Sequence, residues 1–198
     1  MIIHQLEQGA PEWNEVRLGK FTASTFGKLF MAKSTKGYND LINQVVYERI
    51  TGESPESYSN QWMDRGTELE PEARMSYELL TFNKVHQVGF IEYNEWIGGS
   101  PDGLIDTDGI IEIKCPKSST LIDYALSDKI PKDYEWQMQG NLYISERDYC
   151  DFFVYHPKLN PLQIRVNRDE QKIKQLESEL EIAIEQAQER LNKLSKAV

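Results

Sequence analysis

The segment from Ile97 to Lys114, IGGSPDGLIDTDGIIEIK, constrains the fold more than any other part of this 198-residue chain. Two apolar runs flank the turn Asp106-Thr107-Asp108-Gly109. An Asp-Gly step between apolar runs predicts a β-hairpin. Pairing the two runs brings Asp102 beside Glu112, ten positions downstream. Side chains alternate between the faces of a strand, so Glu112 and Lys114 share a face and Ile113 enters the opposite layer. Two carboxylates and an ammonium then converge at one end of a sheet.

Carboxylates with open oxygens suit a hard cation such as Mg²⁺, which takes oxygen ligands and keeps several waters. Such an ion polarises a phosphoryl oxygen and lowers the pKa of a bound water. Lys114 is expected to hold or deprotonate that water, because a Lys beside a metal and partly withdrawn from water has a lowered pKa. The Ile113 carbonyl lies between the two functional side chains and is a further candidate ligand. Glu-x-Lys alone is better read as an ordinary cross-strand pair at a surface turn. The Ser-Pro-Asp-Gly upstream turns the reading toward a site.

Charge limits the partners. Lys and Arg number 22 against 32 Asp and Glu, a net charge of −10, the opposite sign from a simple basic DNA binder. Contact with nucleic acid would have to come from a local patch or through metal-bridged carboxylates. Cys115 and Cys150 form no Cys-x-x-Cys pair, which argues against structural zinc and iron–sulfur clusters and for reduced thiols in a cytosol. The start MIIHQLEQG is too short and polar for a signal sequence, and no apolar run reaches membrane-spanning length. A 39% hydrophobic share supports one domain over residues 1–198.

Along the chain, Ile2–Gln5 reads as a short strand. Gln8–Leu18 reads as a helix opened by Pro11 and closed at Gly19. Thr22 is expected to cap a second helix, ASTFGKLF, with Ala23, Phe26 and Phe30 on one side. Arg17 ends the first helix and Ser24 opens the second, where free N–H groups make a phosphate seat. Tyr38–Ile50 reads as an amphipathic helix, and TGESPESYSN as a linker. A long helix follows, with Trp62, Leu69, Ala73, Tyr77 and Leu80 on one face and a kink at Pro71. Lys84–Tyr93, Trp96–Ile105 and Ile110–Ile113 read as strands. A helix capped by Ser118 or Ser119 comes next, then a helix over Tyr134–Ser145 with Gln137 and Gln139 among apolar residues. Asp148–His156 and Pro161–Val166 are strands. The chain closes on a helix over about 168–196, expected to pack on the sheet.

SPDG followed by EIKCP resembles the PD-(D/E)xK nuclease motif, in the version carried by bacteriophage lambda exonuclease and the related YqaJ-type viral recombinases. LEQGAPEWNEVRLGKFTAS is similar to the N-terminal segment of that family, RGTELEPEAR to its acidic helix, and YEWQMQGNLYIS to its glutamine helix. The motifs stand in family order. The resemblance implies an α/β (α+β) fold with a restriction-endonuclease-like core, a central mixed β-sheet flanked by helices. It assigns Asp102, Glu112, the Ile113 carbonyl and Glu70 to the metal, Lys114 and Gln137 to catalysis, and Arg17 and Ser24, with Ser100 of the SPDG motif, to a 5′-terminal phosphate. Read without it, Arg17 is a surface charge, Ser24 a cap, Glu70 a surface glutamate and Gln137 a structural amide.

The activity implied is a metal-dependent 5′→3′ exonuclease on linear double-stranded DNA. It would start at a 5′-phosphorylated end and leave a 3′ single strand for phage-type recombination. The cofactor implied is Mg²⁺ or Mn²⁺, as a pair of ions. A homotrimeric ring around DNA, a single-strand annealing partner and residence in a bacterial cytoplasm, from a phage or prophage, follow from the same likeness. Two alternatives stay open: an endonuclease of the same fold, in restriction or repair, and a non-catalytic scaffold that binds DNA ends.

Overall fold

A computed structural model describes residues 1–55, 61–127 and 129–196, and gives the backbone alone for 61–67 and 133. Strand β1 (Ile2–His4) leads to α1 (Pro11–Arg17), β2 (Phe21–Thr22), a 3-10 helix (Ala23–Phe30), α2 (Lys36–Thr51) and α3 (Gln61–Thr81). Five short strands follow: β3 (Val85–His86), β4 (Phe90–Glu92), β5 (Ile97–Gly99), β6 (Gly103–Ile105) and β7 (Gly109–Lys114). Helices α4 (Ser118–Ser127) and α5 (Lys132–Ser145), the hairpin β8 (Tyr149–His156) and β9 (Leu159–Asn167), and α6 (Glu170–Ser195) complete the chain.

The fold class is α/β with mixed sheets flanked by helices, as expected, but the strands divide between two sheets. One has the order β1-β4-β5-β2 and the other β3-β6-β7-β8-β9. The run 84–93 is therefore two strands in different sheets, and so is the run 96–105. Gly89 lies so close to Leu6 that a Cβ there would stand 2.4 Å from the Leu6 carbonyl oxygen. Only a residue without a side chain lets the N-terminal segment cross at that point. At the second break Pro101 follows Ser100, and proline cannot donate to a ladder.

Strand β7 holds the middle of the larger sheet, antiparallel to β6 and parallel to β8, and Gly109–Ile113 are all buried. A strand covered on both faces is expected to be almost wholly apolar, yet Glu112 sits within it at 1% exposure. Alternation sorts its neighbours. Ile110 joins Phe152, Met138 and Leu142 in the larger core, and Ile111 and Ile113 join Ala73, Tyr77 and Phe153 in the smaller. Glu112 thus faces α5, and α3 covers the other side. Also buried in the sheet is Asp151, fully inside, held by Nε and Nη2 of Arg165, each at 2.8 Å, by Tyr77 Oη at 2.6 Å and by Gln163.

Several local expectations are corrected. Residues 23–30 form a 3-10 helix, and its buried side chains, Ala23, Phe26 and Leu29, follow that helix's period of three rather than ending at Phe30. The Thr22 side chain does not cap it. Leu80 is exposed, although Ala73 and Tyr77 are buried as expected. Helix α3 continues through Pro71, as the single long helix was expected to. The Trp62 side chain and residues 56–60 of the expected linker lie outside the described residues. Helix α6, capped by Asp169 on the N–H groups of Gln171 and Lys172, packs on α2, α5 and the 3-10 helix instead of on the sheet. Its stripe of Ile173, Leu176, Leu180, Ala183 and Ala187 meets helices because α5 already occupies the sheet face. Among the described residues no helix is long and apolar enough to cross a membrane.

Candidate active site

The buried Glu112 carboxylate is the centre of the site. A carboxylate out of water must be paired or hydrogen-bonded, and three donors meet this one. Lys114 Nζ reaches Oε1 at 2.6 Å from two residues along the same strand face. Gln137 Nε2 donates to Oε1 at 2.5 Å and Asn141 Nδ2 to Oε2 at 3.4 Å, both from α5. Residues four apart share a helix face, so one side of α5 delivers both amides. Gln139 faces elsewhere: it donates to the Asn167 carbonyl and accepts from the Asp169 N–H, joining α5 to the start of α6.

Asp102 stands where the hairpin places it. Its N–H donates to the Ile111 carbonyl at 3.2 Å, and its Oδ2 accepts from the Ile113 N–H at 2.6 Å. In a strand the N–H and C=O of one residue point to the same edge. The Ile113 carbonyl therefore points to the side on which Asp102 lies, beyond the last pair of β6 with β7. Burial, and then the charge of Glu112, push the Asp102 carboxyl well above the usual carboxylate range, against Lys114 and the Ile113 bond. Burial alone would lower the Lys114 ammonium, but Glu112 and Asp102 outweigh it and hold it above its ordinary value. The expected depression of Lys114 is thus not found: in this arrangement it is a fixed cation that donates.

Glu70 lies near enough for its charge to be felt at Asp102. Burial raises it, with Arg74 and Lys114 opposing and Glu112 reinforcing. Its carboxylate is turned to Arg74, with which it forms a short ion pair. Among the described residues no group of three or more His, Cys, Asp or Glu side chains stands together as a metal cluster. The set that converges is Asp102, Glu112 and the Ile113 carbonyl. All are oxygen donors, and two carboxylates close enough to perturb each other share a single ammonium. That chemistry fits a hard divalent cation, which takes oxygens and relieves the repulsion between them.

The three residues expected at a terminal phosphate are brought together. Arg17, Ser24 and Ser100 line a cavity of about 180 Å³ with Trp13, Thr22, Gln137 and Asn141. That is smaller than the ~300–1,000 Å³ of a typical small-molecule pocket and suits a single charged group. Arg17 donates to Ser100 Oγ at 3.1 Å and lies 4.0 Å from the Trp13 ring centre. Burial lowers the Arg17 guanidinium to about 10, with Glu48 opposing. It forms no ion pair among the described residues, and a half-buried cation in that state favours an anion. Trp13 is a wall of this cavity, its Nε1 donating to the Gly89 carbonyl at 2.8 Å. Because Thr22 does not cap the 3-10 helix, the first N–H groups beside Ser24 are left to another acceptor.

Asn141 is the residue that sequence reasoning missed. It lies in the segment YEWQMQGNLYIS but was given no role there, and its signal was its place one turn after Gln137 on an otherwise apolar helix. The Arg65 side chain lies outside the described residues.

Residues 12–148 match the family described as the YqaJ-like viral recombinase domain. The alkaline exonuclease LHK-Exo of Laribacter hongkongensis superposes with a TM-score of 0.88 at 32% identity, over 95% of this chain and 97% of that one, and has also been solved with dAMP. A phage-related exonuclease from Haemophilus somnus shares the fold, with a TM-score of 0.71 at 17% identity over 88% of this chain and 96% of that one. An uncharacterized protein of Acanthamoeba polyphaga mimivirus is 27% identical over 165 residues, 76% of this chain. The match spans only 29% of that protein's length.

Proposed function

The chain belongs to the YqaJ-like viral recombinase family, and from that premise we propose that it is a 5′→3′ exonuclease on linear double-stranded DNA. It removes one strand from a 5′-phosphorylated end and leaves a 3′ single strand for recombination. One observation carries the reading: the cavity holding Arg17, Ser24 and Ser100 shares two of its lining residues, Gln137 and Asn141, with the carboxylate of Glu112. A seat for an end and a site for hydrolysis stand side by side. The relation to LHK-Exo, an alkaline exonuclease that binds dAMP, supports the same reading.

Asp102, Glu112 and the Ile113 carbonyl would hold Mg²⁺ or Mn²⁺, as one ion or a pair, with Glu70 joining directly or through water. When bound, the metal supplies Lewis-acid polarisation of the scissile phosphate and a water of lowered pKa. Lys114, kept charged by Glu112, donates to the water or to a phosphoryl oxygen as negative charge builds there. Gln137 fixes the Glu112 rotamer through Oε1. Arg17, Ser24 and Ser100 hold the terminal phosphate and so set which linkage meets the metal. A net charge of −10 opposes loose association with DNA. A homotrimeric ring, closed around the duplex, would keep such a protein on its substrate. We place its work with a single-strand annealing protein in the cytoplasm of a phage-infected or prophage-bearing bacterium.

The test is a time course on end-labelled linear duplex, with and without Mg²⁺, beside a covalently closed circle. The reading expects 5′ label released as mononucleotides only with Mg²⁺, and an intact circle. Cutting of the circle would instead favour an endonuclease.

A further inference from the structure

Asn141 joins the two halves of the site in a way that its neighbours do not. It is 1% exposed, and its Nδ2 reaches Glu112 Oε2 at 3.4 Å, a long and weak bond. Its Oδ1 is buried without a hydrogen-bond partner among the described residues. A buried amide oxygen left in that state is destabilising. The amide is therefore held on one side only, and turning it forfeits nothing on the oxygen side. Gly99 faces it, and a Cβ there would stand 2.5 Å from Oδ1, so the glycine is what lets the amide rest where it does. The cavity that Asn141 lines is the one that holds Arg17, Ser24 and Ser100. Gln137, by contrast, donates to Glu112 Oε1 at 2.5 Å and is firmly committed.

We propose that Asn141 is a positioning residue that turns from Glu112 toward a phosphate seated in this cavity, so that a 5′-phosphomonoester end strengthens divalent-cation binding at Glu112. In the structure Nδ2 donates to Glu112 Oε2. A phosphate on Arg17, Ser24 and Ser100 is the stronger acceptor, draws the amide to itself, and frees Oε2 for the cation. The enzyme would then assemble its metal site best on ends that carry the phosphate. This inference rests on the exonuclease reading and adds to it a coupling between two subsites.

Linkage makes the coupling measurable without cleavage: if the phosphate tightens the metal, the metal tightens phosphorylated ends by the same factor. Fluorescence anisotropy would give the affinity of the full chain for short duplexes with 5′-phosphate or 5′-hydroxyl ends, their first linkages made cleavage-resistant. Each is measured with and without Mg²⁺. In the wild type, Mg²⁺ is expected to tighten the phosphorylated duplex at least about fivefold more than the hydroxyl one. Asn141→Leu, close in volume, and Asn141→Ala, which removes the amide altogether, are expected to bring the two Mg²⁺ factors within about twofold of each other. The result is a ratio within one preparation, so partial loss of folded protein leaves it unchanged. A merely structural Asn141 would leave the wild-type difference in both variants, and that result overturns the inference while sparing the exonuclease reading. So does a wild type that prefers phosphorylated ends but shows equal Mg²⁺ factors. A wild type with no preference for phosphorylated ends in any condition removes the functional reading and the inference together.

Discussion

The backbone N–H of Ile113 donates to Asp102 Oδ2 at 2.6 Å, fastening the carboxylate before β6 to the strand that carries Glu112 and Lys114. One bond thereby fixes the spacing of the two acids and aims the Ile113 carbonyl at the same edge. The rest of the site is arranged around that join.

Lys114 is the first place to test the chemistry. It is held as a cation against a buried carboxylate, so its removal leaves Glu112 without its ion-pair partner and the transition state without a donor. Lys114→Ala is expected to lower cleavage on the order of 10²–10³-fold while largely keeping duplex binding. Single-turnover rates beside an anisotropy titration separate the two. Full activity in the variant would reject the mechanism.

Metal removal should act on the reaction and not on the fold. The cores that flank β7 are built from apolar side chains. Chelation with EDTA is expected to stop cleavage, with recovery on adding Mg²⁺ and little change in the circular-dichroism spectrum. Cleavage that persists in EDTA would refute the role given to Asp102 and Glu112.

Arg17 should matter only when there is a phosphate to hold. Losing a charged hydrogen bond costs about 1.5–3 kcal/mol, roughly ten- to hundredfold. Arg17→Ala is expected to lose that much on 5′-phosphorylated ends and far less on 5′-hydroxyl ends. Equal losses on both would show that the residue supports the fold alone.

The Tyr77–Asp151 bond predicts how stability follows pH. Burial, and with it the Asp151 carboxylate, push the Tyr77 phenol above its usual range, against a bond from Asn83. A raised folded value means that the contribution is complete below the unfolded pKa of about 10 and fades as pH climbs beyond it. Tyr77→Phe should therefore cost roughly 1.5–3 kcal/mol at neutral pH, and the gap to wild type should narrow in alkali. Urea unfolding at both pH values checks this, and a gap that widens in alkali contradicts it.

The parts of the site that were legible in the sequence are local or belong to a motif. The Asp-Gly turn ties Asp102 to Glu112 over ten residues, and strand alternation sorts Glu112 and Lys114 from Ile113. Arg17, Ser24 and Ser100 were placed together by family likeness, since nothing local links residues so far apart in the chain. Asn141 was missed because one amide on an apolar helix looks like any satisfied core residue until its partners are known. The division into two sheets was marked by Gly89 and Pro101, each inside a run that otherwise alternates like one strand. The covering of α6 was not legible at all: an apolar stripe shows that something buries it, not whether that is a sheet or another helix.

The central claim is that Asp102, Glu112 and the Ile113 carbonyl grip a common divalent ion. Crystals grown with Mn²⁺ and measured at its absorption edge would test it most directly. The account predicts an anomalous peak at about 2.0–2.6 Å from oxygens of all three residues. A peak elsewhere with these oxygens free of metal, at Mn²⁺ concentrations that support cleavage, would contradict it.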